Sequence, residues 1–223
     1  GILDLWLKQN GDPTKDESLH NKILGSKTAK NLLRVFLLRE KLKSLGKINT
    51  KAKNTAQYPI KHIHIIGAGT MGGDIAIWCV LQGFTVSIQD LSVEQIARVM
   101  KKASCDFNRK FKNKYKQKSL LDNLIPDLIG SGIEKADVII EAATENLEVK
   151  RNIFSEIERR AKSTALMCSN TSSIKIEEIS KKLKDPNRLV GVHFFNPVLK
   201  MPLVEIIKSN QCDQNFLNFA INF

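Results

Sequence analysis

Apolar residues follow two different patterns along the chain, and the change between them falls near residue 59. Residues 28–45 carry apolar side chains at helical spacing, and Gly46 is placed to end that helix. A helix with so broad an apolar face requires a partner. The residues that follow are polar and basic, lack periodicity and end in Pro59, which is typical of a linker. We therefore predict a helical connector over residues 1–58.

From residue 60 onward, short apolar segments alternate with longer segments of helical periodicity. This alternation predicts a Rossmann-type α/β fold, a doubly wound, mainly parallel sheet, over residues 59–210. The predicted strands are 62–66, 84–88, 137–142, 164–169, 188–195 and 203–208. The predicted helices are 70–82, 93–116, 146–161 and 176–183. Residues 211–223 begin as a helix, and we interpret them as the start of a truncated C-terminal helical region.

A glycine-rich turn follows the first predicted strand and opens the next helix. Gly67, Gly69 and Gly72 have the G-x-G-x-x-G spacing, which serves a tight turn, close approach of backbone to a pyrophosphate, and helix–strand packing. Asp90 ends the second strand, where a carboxylate can bind the ribose hydroxyls of NAD and repel the 2′-phosphate of NADP. FAD uses the same fingerprint, but usually with larger inserted domains. The predicted cofactor is NAD, held by Gly67, Gly69, Thr70, Met71, Gly72 and Asp90.

The formal net charge is +12, and basic residues cluster at 41–53 and 101–118. A solvated helix face and attraction of an anionic CoA or dinucleotide phosphate are both open interpretations of the second cluster. Nucleic acid is a weaker third interpretation, because the sequence has no recognisable reading motif, and we expect no nucleic-acid partner.

The remaining composition predicts neither a metal site nor a membrane segment. The four cysteines and four histidines have no metal-ligand spacing, and we expect the cysteines to be free thiols. No apolar segment approaches the roughly 18 residues that span a bilayer, and the N-terminus does not resemble a signal peptide. We expect a cytoplasmic protein with no membrane span.

Two later segments place polar residues after predicted strands, where parallel sheets bind ligands. They are CSNTSSI, residues 168–174, and GVHFFNPVLKMPLVEII, residues 191–207. A histidine before two phenylalanines is more often structural than catalytic. Glu205 in an apolar strand, however, needs a buried partner, and a turn at Asn196-Pro197 would bring it beside His193.

Together with IIGAGTMGGDIA and ADVIIEAATENLEVK, these segments resemble the 3-hydroxyacyl-CoA dehydrogenases of fatty-acid β-oxidation, across about residues 60–210. The N-terminal segment SKTAKNLLRVFLLREKLKSLG resembles the connector of the bifunctional enoyl-CoA hydratase/3-hydroxyacyl-CoA dehydrogenases, the α-subunit type of the fatty-oxidation complex. The resemblance implies reversible, NAD-dependent oxidation of an L-3-hydroxyacyl-CoA to the 3-ketoacyl-CoA.

The resemblance also implies a role for individual residues. His193 is the expected catalytic base, Glu205 the carboxylate that orients it, and Ser172 the residue that hydrogen-bonds the substrate oxygen. Glu145 and Lys150 match positions that contact the nicotinamide half of the cofactor, and Asn170 is expected to help form the site. Lysines of the 101–118 segment match the region where the family meets the CoA nucleotide.

The family continues with an all-helical domain after this segment, and the bifunctional enzymes have a hydratase domain before it. We therefore expect a fragment that binds NAD but turns over 3-hydroxyacyl-CoA poorly by itself, with a dimer or a larger β-oxidation complex formed through those domains. Two alternatives stay open: a catalytically silent NAD-binding module that acts through partner association, and a 3-hydroxybutyryl-CoA dehydrogenase.

Overall fold

The computed structural model describes residues 26–49, 60–201 and 203–223. The chain divides into two compact units, residues 1–54 and 55–223. In the first unit, helix α1 spans Lys27–Asn49, so the predicted helix is present but continues past Gly46. An interior glycine costs only about 1 kcal/mol in a helix and does not by itself end one. Residues 47–49, predicted to begin the linker, are therefore helical, whereas the rest of the predicted linker up to Pro59 lies outside the described residues. The domain boundary at residue 59 stays a prediction.

Helix α1 exposes large apolar side chains around most of its circumference and not along the one broad face expected from its sequence. These are Leu32, Leu33, Val35, Phe36, Leu37 and Leu38. None of the helices in the described ranges is both long enough and apolar enough to cross a membrane.

The second unit is built on one seven-stranded sheet. Its strands are β1 (His62–Ile66), β2 (Thr85–Gln89), β3 (Leu124–Asp127), β4 (Val138–Glu141), β5 (Leu166–Ser169), β6 (Leu189–Phe194) and β7 (Val204–Ile207). The order across the sheet is β3-β2-β1-β4-β5-β6-β7, all parallel except for β7, which pairs antiparallel with β6. The 3-2-1-4-5-6 part of this order defines the Rossmann fold. The predicted fold class is confirmed.

Helices connect these strands and cover both faces of the sheet. They are α2 (Thr70–Leu81), α3 (Val93–Lys110), α4 (Lys114–Asp122), α5 (Leu147–Arg160), α6 (Ile176–Ser180), a 3-10 turn (Pro186–Arg188) and α7 (Gln214–Asn222). One core joins α2, α3 and α7 to one face of the sheet. The other packs Phe154 and Ile157 of α5 and Ile176 and Ile179 of α6 against the opposite face.

Two sequence predictions in this unit are corrected. The predicted single helix over residues 93–116 is two helices, because Phe111 adopts an extended backbone. The side chain of Asn113 then accepts the N–H groups of Tyr115 and Lys116 and starts α4. Strand β3 was not predicted; it contains Pro126, a residue that sheets tolerate only at edges, and β3 is the edge strand.

Candidate functional site

The turn between β1 and α2 is a backbone cradle in which each glycine meets a different constraint. Gly67 has φ +104°, and a Cβ there would lie 2.6 Å from the carbonyl oxygen of Ala142. A Cβ on Gly72 would overlap the carbonyl oxygen of Gly67. At Gly69, by contrast, no described atom lies within 4 Å of the Cβ position. The loop is therefore tightly packed on the protein side and open at Gly69.

This opening lies at the N-terminus of α2, where backbone N–H groups have no intrahelical partner. Gly69 is the N-cap residue and has no side chain with which to cap them. Such a terminus, with its partial positive charge, suits an anionic phosphate group. Of the two other predicted contact residues, Thr70 is exposed and Met71 is half-buried, both in the first turn of α2. The residues present therefore fit the pyrophosphate of a dinucleotide.

Asp90 lies beside this loop at the carboxyl end of β2. Its Oδ2 accepts the N–H of Ala68 at 2.6 Å, and its Oδ1 accepts the N–H of Ser92 at 2.9 Å. The N–H of Gly67 donates to the carbonyl oxygen of Gln89 at 2.8 Å. The end of β2 thus holds two backbone N–H groups of the glycine loop, one through the Gln89 carbonyl and one through the Asp90 carboxylate.

His193 and Glu205 lie directly opposite each other in the antiparallel β6–β7 pair. Their side chains are in contact, with His193 Nδ1 2.9 Å from Glu205 Oε2. The imidazole is 19 % exposed and the carboxylate 52 % exposed, so both are accessible from solvent. The structure therefore brings together the two residues that the sequence predicts to act as a pair.

Asn170 follows β5 and ties its end to the neighbouring strands. Its N–H donates to the carbonyl oxygen of Glu141 at 2.8 Å. Its Oδ1 accepts the N–H of Phe194, the residue after His193, at 2.9 Å. Asn170 consequently fixes the strand segment that carries His193.

Glu145 organises the loop that contains Ser172. Its Oε1 accepts the hydroxyl of Thr171 at 2.6 Å, the N–H of Ser172 at 3.1 Å, and both the N–H and the hydroxyl of Ser173 at 3.0 and 2.9 Å. Partial burial raises the pKa of Glu145. The hydrogen bonds from Thr171 and Ser173 and the charge of Lys150 outweigh that effect and lower the pKa to about 2. Glu145 is therefore a carboxylate that holds Ser172 and Ser173 in place.

Lys150 is buried below this loop, with only 1 % of its side chain exposed. Its Nζ lies 2.7 Å from Glu141 Oε1 and 3.3 Å from Glu145 Oε2. Glu141 is fully buried and also accepts the hydroxyl of Ser169 at 2.7 Å and the N–H of Ala143 at 2.8 Å. In this arrangement the Lys150 ammonium supports the two carboxylates and is not presented at the surface.

Glu141 and Thr171 are site residues that the sequence analysis missed. Glu141 ends the apolar strand VIIE, and a carboxylate in such a strand needs a buried partner. The same argument that singles out Glu205 applies to it, and Lys150 lies nine residues further along. Thr171 carries no comparable signal, because short polar loops after strands are common.

The basic segment 101–118 lies on α3 and α4 and is largely exposed. Lys102 forms an ion pair with the buried Asp74 of α2, and Lys116 lies 4.5 Å from the ring centre of Phe111. The other lysines of the segment are exposed. Within the described ranges, no group of three or more His, Cys, Asp or Glu side chains could hold a metal ion.

The chain has the features that define the class of dinucleotide-binding Rossmann domains. These are a glycine-rich loop after β1, an acidic residue at the end of β2 and a sheet with the strand order 3-2-1-4-5-6. The family described as 3-hydroxyacyl-CoA dehydrogenase, NAD binding domain, matches residues 62–223. The chain belongs to this family. NAD is the cofactor of the family's domain, as predicted from the glycine loop and Asp90.

Individual relatives agree with this assignment. The fatty acid oxidation complex subunit alpha of Idiomarina loihiensis is 34% identical over 193 residues, which cover 85% of this chain and 26% of the relative. The 3-hydroxybutyryl-CoA dehydrogenase structure from Escherichia coli is 32% identical with a TM-score of 0.69, over 73% of this chain and 35% of that one. The dehydrogenase part of multifunctional enzyme 1 from C. elegans is 30% identical with a TM-score of 0.63, over 74% of this chain and 40% of that one. The chain thus spans about a quarter of the curated relative.

Proposed function

We propose that this chain carries the cofactor-binding and proton-transfer part of an NAD-dependent L-3-hydroxyacyl-CoA dehydrogenase of fatty-acid β-oxidation. The proposal rests on the contact between His193 and Glu205, in which Nδ1 lies 2.9 Å from Oε2. The pair lies near the edge of the sheet where the carboxyl end of β6 is found. The glycine loop and Asp90 lie at that same edge, because the carboxyl ends of parallel strands meet there.

The geometry supports the following roles for the His193–Glu205 pair in this reaction. Glu205 accepts a hydrogen bond from the Nδ1–H of His193, which leaves Nε2 as the basic nitrogen. Nε2 takes the proton from the 3-hydroxyl group of the substrate, and the Glu205 carboxylate stabilises the resulting imidazolium. When bound, NAD supplies the acceptor for the hydride that leaves C3 of the substrate. In the reverse direction, His193 returns the proton to the carbonyl oxygen.

The loop held by Glu145 supplies the second polar contact in the proposal. Glu145 fixes the backbone of Ser172 and Ser173, and Ser172 is exposed. We assign the Ser172 hydroxyl to the substrate oxygen, Asn170 to shaping the site, and Glu145 to the nicotinamide side of the cofactor. Lys150 is expected from the resemblance to contact the nicotinamide half itself, but its side chain is only 1 % exposed, so we assign it to supporting Glu145 from below. The exposed lysines of 101–118 are assigned to the CoA phosphates, because clustered positive charge attracts anionic ligands.

Two observations support alternatives. Relatives that include a 3-hydroxybutyryl-CoA dehydrogenase favour a short-chain substrate as the second candidate. The exposed apolar side chains of α1 favour a module that binds NAD and acts through partner chains. Membership of a larger β-oxidation complex and a cytoplasmic location remain proposals, supported by similarity to a complex subunit.

The cofactor site is tested by calorimetry with NADH and NADPH. We expect NADH to bind more tightly than NADPH, and Asp90→Ala to weaken NADH about ten-fold or more, which corresponds to about 1.4 kcal/mol. Asp122→Ala, an exposed acid at the end of α4, is the matched control and should bind like the wild type. Equal affinity in the Asp90 and Asp122 variants would contradict the assignment.

The proposed reaction is tested in the reverse direction, with NADH and acetoacetyl-CoA mixed with an excess of the protein. The loss of NADH absorbance gives the single-turnover rate. We expect His193→Gln to slow the single-turnover rate by roughly 10²–10⁴-fold, the usual contribution of a general base, with NADH affinity unchanged. Asp122→Ala, the exposed acid at the end of α4, is again the control and should react like the wild type. NADH binding without turnover in the wild-type chain would favour the module that acts through partners.

A further inference from the structure

One face of β1, β2 and β3 carries a row of buried polar side chains. His64 is fully buried, and Ser87 and Asp127 beside it are 2 % and 8 % exposed. The opposite face of the same strands is apolar, with Ile63, Val86 and their neighbours in the core. Strands covered on both faces are usually apolar throughout, so buried polar groups here require a specific arrangement.

The polar groups form a continuous chain of hydrogen bonds. His62 Nε2 and His64 Nδ1 lie 2.8 and 2.7 Å from the hydroxyl oxygen of Ser87, and His64 Nε2 lies 3.0 Å from Gln89 Oε1. Because an amide oxygen only accepts, Nε2 of His64 carries the hydrogen. In the neutral imidazole Nδ1 is then an acceptor, so Ser87 donates to His64 and accepts from His62.

This chain of hydrogen bonds ends at Gln89, the residue that holds the glycine loop. Gln89 accepts the N–H of Gly67 through its backbone carbonyl at 2.8 Å. The next residue, Asp90, accepts the N–H of Ala68 at 2.6 Å. The Gln89 side chain also packs closely on Gly130, where a Cβ would lie 2.8 Å from Gln89 Oε1. A side chain fixed by His64 on one side and by Gly130 on the other fixes the backbone that carries the cofactor cradle.

We infer that His64 is a positioning residue for the adenosine half of the cofactor, acting through Gln89 on Gly67 and Asp90. The inference rests on the proposed cofactor site and names a buried group that controls it. Binding of the adenosine diphosphate part of the ligand depends on the hydrogen bond from His64 Nε2 to Gln89. The nicotinamide part, which the proposed function assigns to the side of His193, does not depend on this hydrogen bond.

The test measures dissociation constants of NADH and ADP-ribose, and the free energy of unfolding in urea, for single and double variants. We expect His64→Leu to weaken both ligands by the same factor, about 5–10-fold, since one hydrogen bond within a site contributes on this order. Gln89→Leu should have a similar effect. The double variant should bind no more weakly than either single variant, because residues that act through one contact are not additive.

Ile179→Ala is the matched control, because Ile179 is fully buried in the other core. We expect it to lower stability at least as much as His64→Leu while both dissociation constants stay within two-fold of wild type. Ser87→Ala removes only the hydroxyl oxygen that links His62 and His64 in the chain of hydrogen bonds. This variant replaces His64→Leu in the test if His64→Leu does not fold. It is expected to weaken NADH and ADP-ribose in parallel.

Three outcomes would overturn the inference. One is unchanged affinity in His64→Leu or, where that variant does not fold, in Ser87→Ala; another is an equal loss of affinity in Ile179→Ala. The third is additive loss in the double variant. A wild-type chain that binds neither NADH nor ADP-ribose would refute the cofactor site itself, and that result is obtained before any variant is compared.

Discussion

At the scale of single residues, the glycines of the cofactor loop separate folding from binding. Gly67 is required by its backbone, with φ +104° and an oxygen 2.6 Å from its would-be Cβ. Gly69 has ordinary extended angles and open space around it. The fold therefore does not need glycine at position 69, whereas the approach of a pyrophosphate does.

This difference predicts opposite results for two alanine substitutions. Gly69→Ala should change the free energy of unfolding by less than about 0.5 kcal/mol, as surface substitutions do, yet weaken NADH at least about ten-fold. Gly67→Ala should destabilise the protein by roughly 1–3 kcal/mol through backbone strain. Urea denaturation and calorimetry measure the two effects. A Gly69→Ala protein that binds NADH normally would show that no phosphate approaches this loop.

The sequence predicts the arrangement of candidate site residues where their spacing constrains the backbone. The places of Gly67 and Asp90 follow from turn geometry. The contact between His193 and Glu205 is expected because a buried carboxylate needs a partner, but the Glu205 carboxylate is 52 % exposed, and the register of β6 and β7 is what brings the two side chains together. The hydrogen bonds that Glu145 accepts from residues 171–173 could not be predicted from the sequence. They join segments that are 26 to 28 residues apart through a single carboxylate oxygen. Contacts of that kind depend on how two loops meet, which local pattern does not encode.

At the scale of elements, hydrophobic periodicity predicts the strands and most helices but not their interruptions. Helical periodicity runs through Phe111, and the extended backbone at that residue is visible only in the structure. The β3 strand escapes prediction for a related reason. Pro126 argues against a strand in local terms, yet at the sheet edge its missing N–H faces no partner strand.

The break between α3 and α4 makes Asn113 a helix cap. Replacing it with alanine should lower the free energy of unfolding by about 1 kcal/mol, because the N–H groups of Tyr115 and Lys116 lose their acceptor. Asn108→Ala, on the exposed face within α3, is the matched control and should be neutral or slightly stabilising. Chemical denaturation of both variants measures the difference. Equal effects would mean that Asn113 does not cap α4.

At the scale of the whole molecule, the buried histidine makes folding depend on pH. Burial lowers the pKa of His64 from 6.5 to about 4, and His62 and Arg160 act in the same direction, whereas Gln89 and Asp127 oppose the shift. The unfolded chain therefore binds a proton below pH 6.5 that the folded chain resists. The contribution of His64 to the free energy of unfolding is fully present above its pKa in the unfolded chain. It is lost as the pH falls from that value towards its lower pKa in the folded protein.

Between pH 7.5 and pH 5 we expect the free energy of unfolding to decrease by roughly 2 kcal/mol from this group, at about 1.4 kcal/mol for each pH unit below 6.5. The carboxylates with lowered pKa values, such as Asp127 and Glu145, contribute mainly at more acidic pH. Urea denaturation at the two pH values measures the change. His64→Leu should show a clearly smaller decrease; the same decrease in both proteins would assign it to other groups.

The burial pattern of the cysteines also sorts them by chemical reactivity. Cys79, Cys168 and Cys212 are buried, and burial raises the pKa of each thiol, which makes them poor nucleophiles. Cys105 is exposed on α3, among the lysines of the basic segment. A thiol-reactive dye would accordingly attach at one position of the folded unit without mutagenesis, and it would report on the surface to which the CoA phosphates are assigned.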